Sequence, residues 1–144
     1  MGAELTLEER YGIRTQVAAL EAAMFASPDQ LHIEPVHTFA HGLYARTVTL
    51  PAGSTATGHI HAQEHLCFIT KGRVLVVSET GGTREVAAPE MFIAPRGTKN
   101  CVHAIEETTW TTVHATELRD VAKIEKAMIL PTFPDEIPAL EEWR

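Results

Sequence analysis

The stretch GSTATGHIHAQEHLCFITKG at residues 53–72 constrains this chain more than any other, because it sets His59, His61 and His65 close together between two glycines. On an extended strand successive side chains alternate faces, so His59 and His61 point the same way with one residue between them. That is the spacing of a chelating pair. His65 lies an even number of residues further on, beyond a bend, and returns to the same side if the chain folds back there. Three neutral imidazoles converging on one point suit Fe, Mn, Ni, Cu or Zn, whereas Ca and Mg prefer oxygen ligands.

The sequence around this stretch reads as short strands separated by turn signals. LYARTVTL is followed by Pro51-Ala52-Gly53, HIHAQEHLCFIT by Lys71-Gly72 and RVLVVSE by Gly81-Gly82. TREVAA, EMFIAP with Arg96-Gly97, NCVHAIE and WTTVHAT complete the series. Regular short strands with Gly and Pro turns predict an all-β sandwich or barrel over residues 43–116. Several strands are apolar on both faces, so both sides of the sheets should be covered, by helices or by a partner.

Helices are expected at both ends. Thr6 and Glu9 have capping-box spacing, and Leu7, Tyr11, Val17, Leu20, Met24 and Phe25 recur at helical intervals, which predicts a helix over residues 6–26 that stops at Ser27-Pro28-Asp29. Its apolar residues should pack on a sheet or a second subunit. Residues 30–42, with His32, His37 and His41, read as an irregular approach to a strand whose histidines are scattered on the surface or on a pocket rim. Beyond Asp120, Val121, Ile124, Met128 and Ile129 form one helical face, ended by Pro131. The rest of residues 120–144 is an acidic, proline-broken tail with Phe133, Leu140 and Trp143 as anchors.

A chain of 144 residues suits one domain with a proper core, so residues 1–144 are read as a single unit. A net charge of −7 argues against a nucleic-acid or anionic-membrane surface. The expected partner is a small molecule, together with a second copy of the chain in a homodimer. Cys67 and Cys101 sit in apolar runs, as buried thiols do. No stretch has the length of a membrane span or the pattern of a signal peptide, so a cytoplasmic location is expected.

The same residues resemble the cupin superfamily of RmlC-like jelly-roll barrels, or double-stranded β-helices. The first cupin motif runs from a glycine through His-x-His and a glutamate to a second glycine, and Gly53, His59, His61 and Gly72 match it in identity and spacing. His65 occupies the glutamate position, with Glu64 one residue early. The second motif is matched at the Pro95-Arg96-Gly97 turn but has Asn100 where its histidine belongs. PRGTK and WTTVH also resemble a subgroup of small cupins of bacteriophage and bacterial genomes without assigned function.

The resemblance implies a divalent transition metal (Fe, Mn, Ni or Zn) held by His59, His61, His65 and a replacement for the histidine missing at Asn100. His103 and His114 compete for that role. His103 lies three residues beyond Asn100 and needs a bulge to turn inward. His114 lies on the next strand, beside the strand that starts near residue 65, and is favoured. Glu64 is the alternative ligand if His65 points outward.

An all-imidazole site leaves the metal charge without an offsetting carboxylate and favours anionic, oxygen-bearing ligands. Two function classes follow. One is a metal-dependent enzyme of dioxygenase, isomerase or lyase type acting on a small oxygen-bearing molecule, with Glu64, Tyr44 and Lys99 as candidate acids or bases. The other is a non-catalytic cupin that binds a ligand or serves as a phage-associated accessory or assembly protein.

Overall fold

A computed structural model describes residues 4–131 and Phe133. Helix α1 (Leu7–Ala26) starts with the expected capping box: the Glu9 N–H donates to Thr6 Oγ1 at 3.1 Å and the Thr6 N–H to Glu9 Oε2 at 2.7 Å. The chain then forms β1 (Val36–Ala40), β2 (Leu43–Leu50), β3 (Thr55–Thr57), β4 (Ile60–His61) and β5 (His65–Lys71). After these come β6 (Arg73–Ser78), β7 (Gly82–Ala87), β8 (Glu90–Ala94), β9 (Cys101–Ala104) and β10 (Thr108–Ala115). Helix α2 (Val121–Met128) and β11 (Ile129–Leu130) close the described chain.

These strands make a five-stranded sheet in the order β1-β2-β10-β5-β8, a four-stranded sheet β3-β9-β6-β7 and a small β11-β4 pair. Every pairing is antiparallel. Leu50, Cys67, Ile69, Ala94 and Trp110 from the larger sheet meet Val74, Val76, Val86, Val102 and Ala104 from the smaller one in one buried core. At ~1.5–3 kcal/mol for each large apolar side chain removed from water, this layer is the main stabilising term of the fold.

Gly72 alone separates β5 from β6, which belong to different sheets. Its φ of +89° is one that side-chain-bearing residues rarely adopt, and a Cβ there would lie 2.1 Å from the Glu107 carbonyl oxygen. Only glycine permits so abrupt a transfer of the chain between the sheets.

Helix α1 touches β6 and is tied to the barrel by polar anchors. Arg14 grips the buried Glu79 through Nε–Oε2 at 2.9 Å and a second bond of 3.1 Å to Oε1. Lys99 Nζ donates to Glu21 at 2.7 and 2.8 Å, and Thr57 Oγ1 donates to Glu21 at 2.6 Å. The helix therefore docks less by its apolar stripe than the sequence implies: Val17 is buried, while Leu7, Leu20 and Phe25 remain exposed.

Two further boundaries differ from expectation. Residues 30–42 are not wholly irregular, because Val36–Ala40 forms β1 on the edge of the large sheet. The C-terminal helix ends at Met128 rather than at Pro131, since Ile129 and Leu130 leave it to pair with His61 and Ile60. Phe133 does act as an anchor, with the Arg14 guanidinium 4.2 Å from its ring centroid. Leu140 and Trp143 lie outside the described residues.

The two faces of the five-stranded sheet have opposite character. Cross-strand register aligns Val36, Thr47, Thr111, Phe68 and Met91 in one outward row. Thr38, Ala45, Val113, Leu66 and Ile93 form the next. Neither row contains a charged residue, and Val36, Met91 and Ile93 are more than half exposed. The inward face carries the histidines.

Candidate metal centre

Antiparallel register and side-chain alternation build the site on the inner face. Tyr44 of β2 is paired with His114 of β10, and His65 of β5 lies one step beyond the Val113–Leu66 pair, so the three stand side by side across adjacent strands. His61 reaches them from β4. Its backbone is fixed from two directions: Gly97 of the Pro-Arg-Gly turn donates its N–H to the His61 carbonyl at 2.7 Å, and β11 pairs Ile129 with His61. The Ala62 N–H, donating to the Met128 carbonyl at 2.7 Å, ties the same segment to the end of α2.

One potential ligand atom from each of His61, His65 and His114 can be chosen so that all lie within 4.8 Å of one another. Ring centroids are separated by 4.3 Å for His61–His65, 5.0 Å for His61–His114 and 4.2 Å for His65–His114. His65 Nδ1 donates to the Gln63 carbonyl at 3.2 Å, which leaves Nε2 as the lone-pair nitrogen. His114 is buried, yet neither ring nitrogen has a hydrogen-bond partner among the described residues. Leaving a buried polar atom unsatisfied costs on the order of 1–3 kcal/mol, and a metal ion beside these rings would remove that cost.

Electrostatics hold the cluster in the form that binds metal. Burial, then the neighbouring His65, His114 and His59 and the Arg46 guanidinium, push His61 down to about 2. Burial and His65 bring His114 to about 4. His65 is also lowered, by burial opposed by its bond to Gln63. All three rings are neutral at physiological pH, with lone pairs available. The three histidines therefore fit a divalent transition metal.

His59 stands outside this group. The expected chelating pair required a continuous strand through both histidines, but β4 contains only Ile60 and His61, and alternation does not govern the residue before it. His59 lines the cavity next to the cluster while keeping part of its surface in solvent; partial burial and Arg46 lower its pKa. His103 is exposed on β9, with its Nδ1 2.8 Å from Thr55 Oγ1, and is not brought to the cluster. Glu64 is exposed and absent from the cavity lining, so it is placed neither as ligand nor as base. Lys99 is occupied by Glu21.

Tyr44 does line the cavity. Its hydroxyl is 2.6 Å from His37 Nδ1, and burial raises its pKa, so the phenol stays protonated. His37 is thus a partner of this tyrosine, while His32 pairs with Glu34 on the surface. Asn100 lines the cavity as well, and Gly58 donates its N–H to the Asn100 carbonyl at 2.9 Å. Cys67 is a cavity-lining thiol pushed up to about 12 by burial, and is therefore protonated in the metal-free fold.

The cavity measures about 270 Å³. Below the histidine row, Arg46, Thr112 and Cys67 form a second inward row, and Val48, Trp110 and Ile69 a third. Arg46 and Thr112 were not singled out in the sequence. The alternation Tyr44-Arg46-Val48-Leu50 could have revealed the arginine, because it places one cation on an otherwise inward apolar face.

Comparison with solved structures settles the architecture. KdgF from Halomonas sp. matches with a TM-score of 0.53 at 18 % identity, over 67 % of this chain and 90 % of that one. An RmlC-like cupin family protein with a double-stranded beta-helix fold from Methanocaldococcus jannaschii matches with a TM-score of 0.51 at 15 % identity, over 63 % and 86 %. The chain has the cupin fold. The cupin domain of Schizosaccharomyces pombe Cnp3 is a further structural neighbour, at 20 % identity, a TM-score of 0.50 and coverage of 69 % and 72 %. No family model and no curated protein sequence matches this chain. Among the described residues, no helix is long and apolar enough to cross a membrane.

Proposed function

We propose that this cupin binds a divalent transition metal through His61, His65 and His114 and acts as a metal-dependent enzyme on a small oxygen-bearing molecule. The observation that supports the reading best is His114: a buried imidazole whose nitrogens have no hydrogen-bond partner among the described residues, beside two other neutral imidazoles. When bound, the metal supplies a Lewis acid with coordination positions open to substrate. The chain's own residues do the rest. Tyr44, held by His37 beside His114, offers a protonated hydroxyl to a substrate oxygen, and the apolar lower wall excludes water.

Elemental analysis of purified protein beside the His61→Ala/His114→Ala variant tests this reading. Near-stoichiometric metal in the parent and its loss in the variant are expected; a metal-free parent after growth in metal-supplemented medium would sink the proposal. A second reading, ligand binding without turnover, is favoured by the lining itself, in which Glu125 is the one carboxylate among the described residues and is exposed. Turnover assays on metal-loaded protein separate the two.

We further propose a homodimer joined through the outer face of the five-stranded sheet. At a net charge of −7, copies of this chain repel one another over most of their surface, and the two uncharged rows are where that repulsion is least. A flat neutral face also pairs with itself about a two-fold axis without needing complementary charges. Light scattering should give twice the chain mass of 15.8 kDa, and a monodisperse monomer would contradict it.

A further inference from the structure

The cavity contains one feature that metal binding by the histidines does not use. Arg46 sits one inward row below Tyr44, paired across the sheet with Thr112, and both line the cavity. Its neighbour on the other side, across β1, is His37, already engaged with Tyr44. Among the described residues the Arg46 guanidinium has no hydrogen bond or ion pair, although the other arginines of the barrel wall and of α1 illustrate the alternative: Arg14 pairs with Glu79 and Arg73 with Glu85. Glu125, the other charged residue of the lining, is on α2 and exposed. Arg46 therefore brings a positive charge to the inner face without a matching carboxylate among the described residues, and that charge lowers the pKa of His61 in the histidine cluster and of His59 beside it.

A partly buried guanidinium is ordinarily paired, because removing it from water without an anion is costly. Its planar fork matches a carboxylate bidentately. The Thr112 hydroxyl on the adjacent strand adds a donor at the same level. Below it the lining turns apolar, with Val48, Leu50, Val102 and Trp110. Above it, two residues of strand rise, roughly 7 Å of backbone, separate the Arg46 row from the histidine row. A cavity of about 270 Å³ lies just under the usual ligand-site range of ~300–1,000 Å³, which limits the occupant to a few carbons beyond its polar groups.

We infer that Arg46 and Thr112 form a carboxylate subsite, and that the ligand of this cavity is a small hydroxy- or oxo-carboxylic acid whose carboxylate binds there, whose second oxygen faces the histidines and whose carbon chain lies on the apolar wall. The orientation toward the histidines rests on the metal reading above. The carboxylate subsite does not, since it is built from Arg46 and Thr112 alone.

Calorimetric titration of 4-methyl-2-oxopentanoate tests the inference, with its amide and inorganic phosphate as controls. The titrations use metal-free and zinc-supplemented preparations of the parent, Arg46→Gln and Arg46→Lys proteins, with zinc content measured separately and circular dichroism checking the fold. The carboxylate should bind the folded Arg46→Gln protein about 10- to 100-fold more weakly than the parent, as expected for loss of a charge-assisted hydrogen bond. Arg46→Lys, which keeps the charge and loses the fork, should fall between them. The amide should bind parent and variant alike.

Equal carboxylate affinity in parent and Arg46→Gln, absence of carboxylate binding to the parent, or a preference for phosphate overturns the carboxylate subsite, even if zinc binds stoichiometrically. Arg46-dependent binding in a protein that takes up no zinc supports the subsite and instead removes the metal reading.

Discussion

The five-stranded sheet presents two faces built from the same five strands, and they differ in almost every chemical respect. Inward, alternate residues supply His65, His114, Tyr44 and Arg46, groups that titrate, ligate or carry charge. Outward, the residues between them supply Leu66, Val113, Ala45 and Thr47, which do none of these things. Because the side-chain period of a strand is two, a shift of register by one residue would exchange the faces. The enclosed side carries the titrating groups, whereas the two outward rows of the sheet carry no charged residue. In the readings proposed above, the ligand chemistry belongs to the first face and association to the second.

The largest expected effect tests whether the outer face is buried in a dimer. Ile93 is 54 % exposed and pairs with Leu66, so Ile93→Lys should fold normally as a single chain. Within a dimer it would bury an unpaired charge, at a cost of about 3–5 kcal/mol. Sedimentation should show monomers at concentrations where the parent is dimeric, with metal content unchanged; a dimer of unaltered affinity would show that the outer face is not the interface.

The next effect belongs to the inner face. At a free metal concentration 100 times its dissociation constant, binding stabilises the folded state by about 2.7 kcal/mol. For a chain of this size that is roughly 5–10 °C in Tm. His114→Ala should abolish most of this gain, while Ile93→Lys should keep it. A metal-induced shift that survives His114→Ala would place the ion elsewhere.

Acidification separates the faces again. The unfolded-state pKa of histidine is ~6.5, whereas His61 is held near 2 and His114 near 4 in the metal-free fold. Between these values the unfolded chain binds more protons, so stability present above about pH 6.5 is lost as pH falls toward 4 for His114 and toward 2 for His61. The loss should be on the order of 2 kcal/mol per histidine between pH 6.5 and 5. Denaturant melts of the metal-free protein would show it, and the doubly substituted His61→Ala/His114→Ala protein should have a flatter profile. Equal pH slopes for the two proteins would mean that the buried imidazoles are not the source.

The smallest effect asks whether polarity matters on the outer face. Thr47 and Thr111 share a hydrogen bond of 2.7 Å there. Replacing both by valine exchanges one hydrogen bond for apolar contact and should change stability by less than about 1 kcal/mol. A larger loss would show that this pair organises the face rather than simply filling it.

Much of the architecture was legible in local sequence. Strand β2 was expected at its observed bounds, 43–50, because LYARTVTL is a β-rich run closed by Pro51 and Gly53. Helix α1 was marked by Thr6 and Glu9, and Gly72 by its place in a glycine-bounded histidine stretch. His114 was favoured over His103 because its strand was expected beside the one beginning near residue 65, and β10 does pair with β5. Spacing along the chain was less informative where regular structure fails. His59 and His61 look like a chelating pair only if the strand continues through both, and β4 is too short for that.

The sequence alone determined the elements that depend on nearest neighbours: the capped helix, the strand periodicity, the glycine at an abrupt transfer between sheets and the supply of histidines. Tertiary structure decided which histidines meet. His61 takes its position from Gly97 and from β11, segments far from it along the chain, and His114 finds His65 only because two distant strands pair. It also decided that Arg46 faces the cavity without a carboxylate partner among the described residues. Periodicity is set by the local backbone, whereas a binding site is a convergence of long-range contacts, and no window of sequence contains those contacts.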